Sequence, residues 1–319
     1  MDDIKYKNDM KTIIPICFSF DNNLVMPACV CISSLLMHAK DDTFYDIYIL
    51  HSEKENLNRE KLDILSNYYE DKCSFKYIKV GNVFDGSYEI RGITTPAYYR
   101  LLIPELILEY DKIIYADVDI IFRQDLQSVY NTDLSTNYIA ATYDWGMIFN
   151  EDGKKYIDKV PGLKQGEYIQ SGFLLINSKQ IRDDGLVLRF VEEAKKCYKF
   201  QDQDILNIVC GCRRIILPMQ YNMTDYAFYY MMKDPHNFEP LYTIRTLDEA
   251  KSKGTLHFNG HKPWKKYCVN FDIWWEYYRK SPIFDELYYF NFFYSKLNEL
   301  DQLSLWKRIK ILIRYFFIR

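Results

Sequence analysis

The run Tyr115-Ala116-Asp117-Val118-Asp119 holds the sharpest chemical signal in the chain. On extended backbone, side chains two apart point to the same side, so Asp117 and Asp119 can reach one hard cation. An apolar run, Lys112 to Ala116, precedes them and reads as a buried strand. The carboxyl end of such a strand is where open α/β sheets bind ligands. Oxygen ligands favour Mg²⁺ or Mn²⁺ over zinc. An Asp pair in a solvated turn is the competing reading, and the apolar flanks, with Ile120 and Ile121 behind, weigh against it.

Three further groups could do chemistry. Ser19-Phe20-Asp21-Asn22-Asn23 lies between a strand and a helix, where short polar side chains cap the helix or hydrogen-bond a nucleoside. Thr255-Leu256-His257-Phe258-Asn259-Gly260-His261-Lys262-Pro263-Trp264 sets two histidines, a glycine and a lysine close together. Imidazole can complete a metal site, Gly frees backbone N–H groups, and Lys neutralises phosphate. Gln201-Asp202-Gln203-Asp204 opens a helix. Capping explains one of its acids, and amides beside carboxylates suit sugar hydroxyls. Neither GxGxxG nor GxxxxGK[ST] occurs, so a dinucleotide fold and a P-loop kinase are unsupported.

Alternating strands and helices must position these groups. Strands are predicted at Thr12–Ser19, Phe44–Leu50, Cys73–Val80, Lys112–Ala116, Tyr138–Thr142, Gly172–Asn177 and Arg214–Leu217. Helices are predicted at Leu24–Ala39, Leu57–Tyr69, Ala97–Leu108 (interrupted at Pro104), Val187–Lys196 and Asp204–Cys210. Pro218 to Tyr267 reads as loop-rich. The βαβα order argues an α/β fold with a mostly parallel sheet and helices on both faces.

The chain has 319 residues, 41 Lys plus Arg against 44 Asp plus Glu, and a net charge of −3. That balance excludes a nucleic-acid footprint over the whole chain. With 29 Tyr, 20 Phe and 5 Trp it is no disordered chain. Eight cysteines without a CxxC pair fit neither a disulfide scaffold nor a zinc ribbon, and read mostly as small buried hydrophobes. The hydrophilic start and the short apolar run after it predict a cytoplasmic home. Residues 303–319 carry Lys307, Arg308, Lys310, Arg314 and Arg319 without an acid. On a helical wheel Leu305, Ile309, Leu312, Ile313 and Phe316 share one side, opposite most of the basic residues. Ile311 and Ile318 blur the separation. Such a helix suits an anionic membrane surface, the alternative being a terminal helix packed on the protein itself.

Together and in this order, these segments resemble the retaining glycosyltransferases of family 8, which include bacterial lipopolysaccharide galactosyl- and glucosyltransferases and glycogenin. The resemblance runs from Ile13 to about Trp264. It implies a nucleotide-sugar-binding fold of the GT-A type and Mn²⁺-dependent transfer of glucose or galactose from a UDP-hexose donor to a glycan or glycolipid acceptor, with Mg²⁺ as the alternative cation. By the same resemblance Asp117, Asp119 and His257 are the metal ligands. Ser19, Asp21 and Asn23 meet the uridine, and Asp117, Val118, Gly260 and Lys262 meet the nucleotide or its diphosphate. Arg100, Gln170, Asp202 and Gln203 face the sugar. Gln203, Asp202 and Asp144 serve the transfer. The sequence departs from the family at Gln170, where Asn is usual, and in having one residue between Gly260 and Lys262 where many members have two. The implied organisation is an N-terminal tail over 1–10, a catalytic domain over 11–268, a helical extension over 269–302 and a membrane-contacting helix over 303–319, on the inner face of the membrane. An inverting transferase on the same fold, with Asp144 as base, and a non-catalytic nucleotide-sugar or glycan-binding protein are the alternatives.

Overall fold

The computed structural model describes residues 11–89, 95–234, 236, 239 and 241–317. The tail expected over 1–10, and Ile318 and Arg319 of the basic segment, lie outside the described residues.

Ten strands form among the described residues: β1 (Thr12–Ser19), β2 (Thr43–Ser52), β3 (Cys73–Val80), β4 (Lys112–Ala116), β5 (Ile120–Ile121), β6 (Ile139–Tyr143), β7 (Ile169–Asn177), β8 (Arg214–Ile216), β9 (Met223–Thr224) and β10 (Leu256–His257). Seven make the main sheet, in the order β3-β2-β1-β4-β7-β6-β8. Its pairs are parallel except those of β7, which runs antiparallel to both β4 and β6. Pro15 cannot donate a ladder hydrogen bond, and β1 pairs with β4 only beyond it, at Ile16 and Cys17.

Apolar residues on alternate positions cover both faces of this sheet. Cys17, Tyr48, Leu50, Ile113, Tyr115, Leu174 and Ile176 share one core cluster with Ile181, Phe190, Ile205 and Val209 of the helices Ser178–Asp183, Leu186–Ala194 and Gln201–Cys210. Ile16, Phe18, Ile47, Ile49 and Ile114 fill the alternate positions and are equally buried, as is nearly all of the helix Val25–Met37. Each fully buried aliphatic side chain contributes roughly 1.5–3 kcal/mol. Five of the eight cysteines are buried; Cys197 and Cys212 are exposed and Cys268 is half-buried.

Two segments differ most from expectation. Residues 97–108 form a 3-10 helix, Thr95–Leu102, continued by one α-turn, Ile103–Leu106, with Pro104 in the first turn of the latter. Pro104 lacks an N–H, which a first turn does not need. The stretch 218–267 holds the helices Asp225–Lys233 and Ile244–Lys253, capped by Thr224 and Thr243, and two strands of a second sheet ordered β5-β10-β9.

The chain divides into two compact units, Met1–Pro282 and Ile283–Arg319. The first ends with the helix Phe271–Lys280, and the second consists of the helices Glu286–Asp301 and Leu305–Phe317. No described helix is long and apolar enough to cross a membrane.

Candidate active site

The turn after β4 presents Asp117, Val118 and Asp119 at the edge of the sheet. Because β7 is antiparallel to β4, with Ala116 opposite Phe173, its first residues reach the same edge. Asp117 N–H donates to Gly172 O at 2.8 Å. The small sheet brings in the third group. Antiparallel pairing of β10 with β5 sets His257 opposite Ile120, and Phe258 N–H donates to Asp119 O at 2.9 Å.

One ligand atom from each of Asp117, Asp119 and His257 thus lies within 4.8 Å of the others. His257 Nε2 stands 3.2 Å from Asp119 Oδ1 and 3.8 Å from Asp117 Oδ2. Among the described residues, Asp119 Oδ1 is buried and accepts no hydrogen bond. Gly172 leaves the space beside the ligands open, since a Cβ there would collide with His257 Cε1 and lie 2.7 Å from Asp117 Oδ2. Two carboxylates and one imidazole in a cradle of this kind fit a divalent cation such as Mn²⁺ or Mg²⁺. Burial raises the Asp119 pKa, but Lys262, which pairs with Asp119 Oδ2, and His257 outweigh it and hold the carboxyl below its usual range.

Arg100 joins this cluster to the helix behind it. Its Nη2 donates to Asp117 Oδ1 at 2.8 Å, its Nη1 to Ser171 O at 2.7 Å, and its Nε lies 3.2 Å from Asp202 Oδ2. The guanidinium sits 4.2 Å above the Tyr115 ring, whose hydroxyl also donates to Asp117 Oδ1. Burial pushes the Asp202 carboxyl up to about 6, with Arg100 opposing it. Gln203 is held at both ends: Oε1 accepts from Ser171 N–H at 3.1 Å, and Nε2 donates to Asp144 Oδ2 at 2.9 Å. Asp144 Oδ1 caps the helix Trp145–Phe149 by accepting from Met147 N–H.

The start of the helix Gln201–Cys210 is clamped. Gln201 has φ of 46°, a conformation few side chains adopt, and the turn is tied down by Asp204. Asp204 accepts from Tyr156 OH at 2.6 Å, Tyr168 OH at 2.5 Å and Phe200 N–H at 2.9 Å. Asp202 and Gln203 therefore project from a fixed turn.

The remaining candidates are placed as follows. Lys262 Nζ donates to Phe258 O at 2.6 Å besides pairing with Asp119. Gly260 N–H donates to Asp225 Oδ2 at 3.3 Å. Val118 is buried between the two aspartates. Ser19 Oγ donates to Pro96 O, tying the exit of β1 to the 3-10 helix that carries Arg100. Asp21 accepts from Asn23 N–H as a helix cap, and Asn23 is exposed. Gln170 Oε1 turns inward, accepting from Gly172 N–H at 2.5 Å and from Asn222 Nδ2 at 2.7 Å.

Sequence reasoning missed Gly172, Asn222 and Asp225. A glycine inside the apolar run 172–177 is a signal for close backbone approach. Asn222 and Asp225 matter only because β9 pairs with β10.

The family model of Glycosyl transferase family 8 matches residues 15–268, and the chain belongs to that family. It is 27% identical over 179 residues to a lipopolysaccharide 1,2-glucosyltransferase of Escherichia coli (strain K12), covering 54% of this chain and 50% of that protein. The chain spans about half the length of curated relatives such as this one. General stress protein A of Bacillus subtilis (strain 168) is 23% identical over 276 residues, which cover 84% of this chain and 88% of that protein. Among solved structures it is similar to a galactosyltransferase, LgtC, in complex with donor and acceptor sugar analogs. The TM-score is 0.70 and the identity 25%, over 86% of this chain and 99% of that one.

Proposed function

We propose that the chain transfers a hexose, glucose or galactose, from a UDP-sugar to a glycan acceptor with retention at the anomeric carbon, in cell-surface polysaccharide or lipopolysaccharide synthesis. The observation that carries this is the Asp117–Asp119–His257 cluster at the carboxyl edge of the sheet, in a family 8 chain. The names of its relatives and of the similar galactosyltransferase support a hexose donor.

Asp117, Asp119 and His257 would hold the cation, which would supply positive charge to the leaving diphosphate. Lys262 Nζ and Gly260 N–H share that charge, leaving Asp119 and Asp225 as the diphosphate arrives. Arg100 keeps Asp117 and Asp202 apart at fixed distances, and the rigidly held Gln203 amide lies beside the sugar. The C1–O bond breaks toward an oxocarbenium-like state with its electron pair leaving on UDP, and the acceptor hydroxyl attacks from the same face, its proton passing to a phosphate oxygen of the departing UDP. Both oxygens of Asp144 already accept hydrogen bonds, which suits a cap better than the free base of an inverting reaction. The uracil meets the loop of Ser19, Asp21 and Asn23.

In this reading the segment 303–319 meets anionic lipid on the cytoplasmic face. Its helix exposes Leu305, Trp306, Leu312 and Phe316 and carries Lys307, Arg308, Lys310 and Arg314.

UDP release with Mn²⁺, measured across UDP-glucose, UDP-galactose, GDP-mannose and ADP-glucose, tests the proposal. Turnover confined to UDP-hexoses, abolished by EDTA and giving an α-linked product by NMR, is expected. An inverted product, or binding without turnover of any donor on offered glycans, would favour the alternatives.

A further inference from the structure

A line of buried amides runs behind His257. His257 Nδ1 lies 2.9 Å from Asn222 Oδ1, Asn222 Nδ2 lies 2.7 Å from Gln170 Oε1, and Gln170 Oε1 lies 2.5 Å from Gly172 N. Asn222 is fully buried, and Gln170 and His257 nearly so. The polarity of this line follows from its far end. A backbone N–H can only donate, so the atom of Gln170 facing Gly172 must be its oxygen. That oxygen requires the NH₂ of Asn222, which turns the Asn222 oxygen toward His257. The imidazole therefore carries its proton on Nδ1. Nε2 is the ring atom left for the metal site, and it faces Asp119 Oδ1 at 3.2 Å.

We propose that Gln170 and Asn222 are positioning residues that lock His257 in the tautomer able to bind a metal, rather than Gln170 acting on the sugar. The proposal rests on the reading that Asp117, Asp119 and His257 hold a divalent cation, and assigns that site its supporting shell. Such outer partners typically change metal affinity 10–100-fold when removed. The longer side chain of Gln170 suits this role. It places one oxygen where the N–H of Gly172, two residues along the same strand, and the amide of Asn222 both reach it.

Two measurements test it on the full chain. Long-range ¹H–¹⁵N NMR of the metal-free protein, with His257 assigned by loss of its signals in His257→Ala, reads the tautomer. Mn²⁺ binding by EPR, alone and with UDP, reads the site without turnover. The wild type should show an Nδ1–H imidazole and bind Mn²⁺. Asn222→Leu and Gln170→Leu should shift the proton toward Nε2 and weaken Mn²⁺ about 10–100-fold. Gln170→Glu keeps an oxygen for both donors and should stay within about threefold of wild type, a difference that space-filling would not produce. Gln170→Glu also serves where a leucine variant does not fold, because an imidazole without a proton on Nδ1 in that variant or in the wild type overturns the proposal. Mn²⁺ bound equally by the folded leucine variants and the wild type overturns the relay alone. Absence of Mn²⁺ binding by the wild type in both conditions overturns the metal reading and the relay together.

Discussion

Gly172 and His257 pack so closely that a methyl group on Gly172 would overlap the imidazole Cε1 and lie 2.7 Å from Asp117 Oδ2. The glycine is in extended strand, so its small size and not its backbone freedom is what the site uses. Gly172→Ala should cost about 1–3 kcal/mol of stability, the usual range for overpacking. Because the collision falls on the ligands, Mn²⁺ affinity should fall as well. Thermal unfolding alongside EPR titration checks both, and unaltered metal binding would mean that His257 is not a ligand.

Asp119→Asn keeps shape and removes the charge that faces both His257 and Lys262. Turnover of the UDP-sugar should fall about 10²–10³-fold or more, the scale for loss of a key electrostatic group. Steady-state UDP release over a range of Mn²⁺ concentrations is the measurement. Near-normal rates at low Mn²⁺ would refute the assignment.

Asp202 is raised from 3.8 to about 6 on folding, chiefly by burial. The folded chain then binds this proton more tightly than the unfolded chain. The group's stabilising contribution is full below pH 3.8 and is lost as the pH rises through 6. Two pKa units amount to about 3 kcal/mol. Asp202→Asn has no such loss, so its unfolding free energy relative to wild type should rise by about that amount between pH 3.5 and pH 8. Urea denaturation at the two pH values decides it, and a difference that does not change with pH would contradict the raised carboxyl.

Deleting residues 303–319 should release the protein from anionic vesicles while sparing turnover on a soluble acceptor. All the candidate site residues lie between Ser19 and Lys262. Each basic residue near the surface adds about 1 kcal/mol on anionic lipid, less as salt screens it. Sedimentation with vesicles of increasing phosphatidylserine content measures the effect. If the truncated chain pellets as before, the segment is not the anchor; if it unfolds, the segment is a packed terminal helix.

Sequence alone determined the strands that lead to the site. Thr12–Ser19, Cys73–Val80 and Lys112–Ala116 are found at their expected bounds, because segments rich in β-branched and aromatic residues between polar stretches leave little choice of ends. It also brought Asp117 and Asp119 together as candidates for one cation, although they meet through the turn after β4 and not on the extended backbone expected of them. Tertiary structure decided the rest. Strands of two residues, β5, β9 and β10, have no periodicity to read, yet they bring His257 to Asp119 and Asn222 to His257. The reversal of β7 within a mostly parallel sheet is likewise invisible in its apolar run Phe173–Ile176, and it carries Gln170, Ser171 and Gly172 to the metal ligands. In the fold Asp21 caps a short helix and Gln170 accepts from Asn222, partners that neither residue's type announces. A residue's type states which hydrogen bonds it can make, but which partner it meets is set by segments far away in the chain.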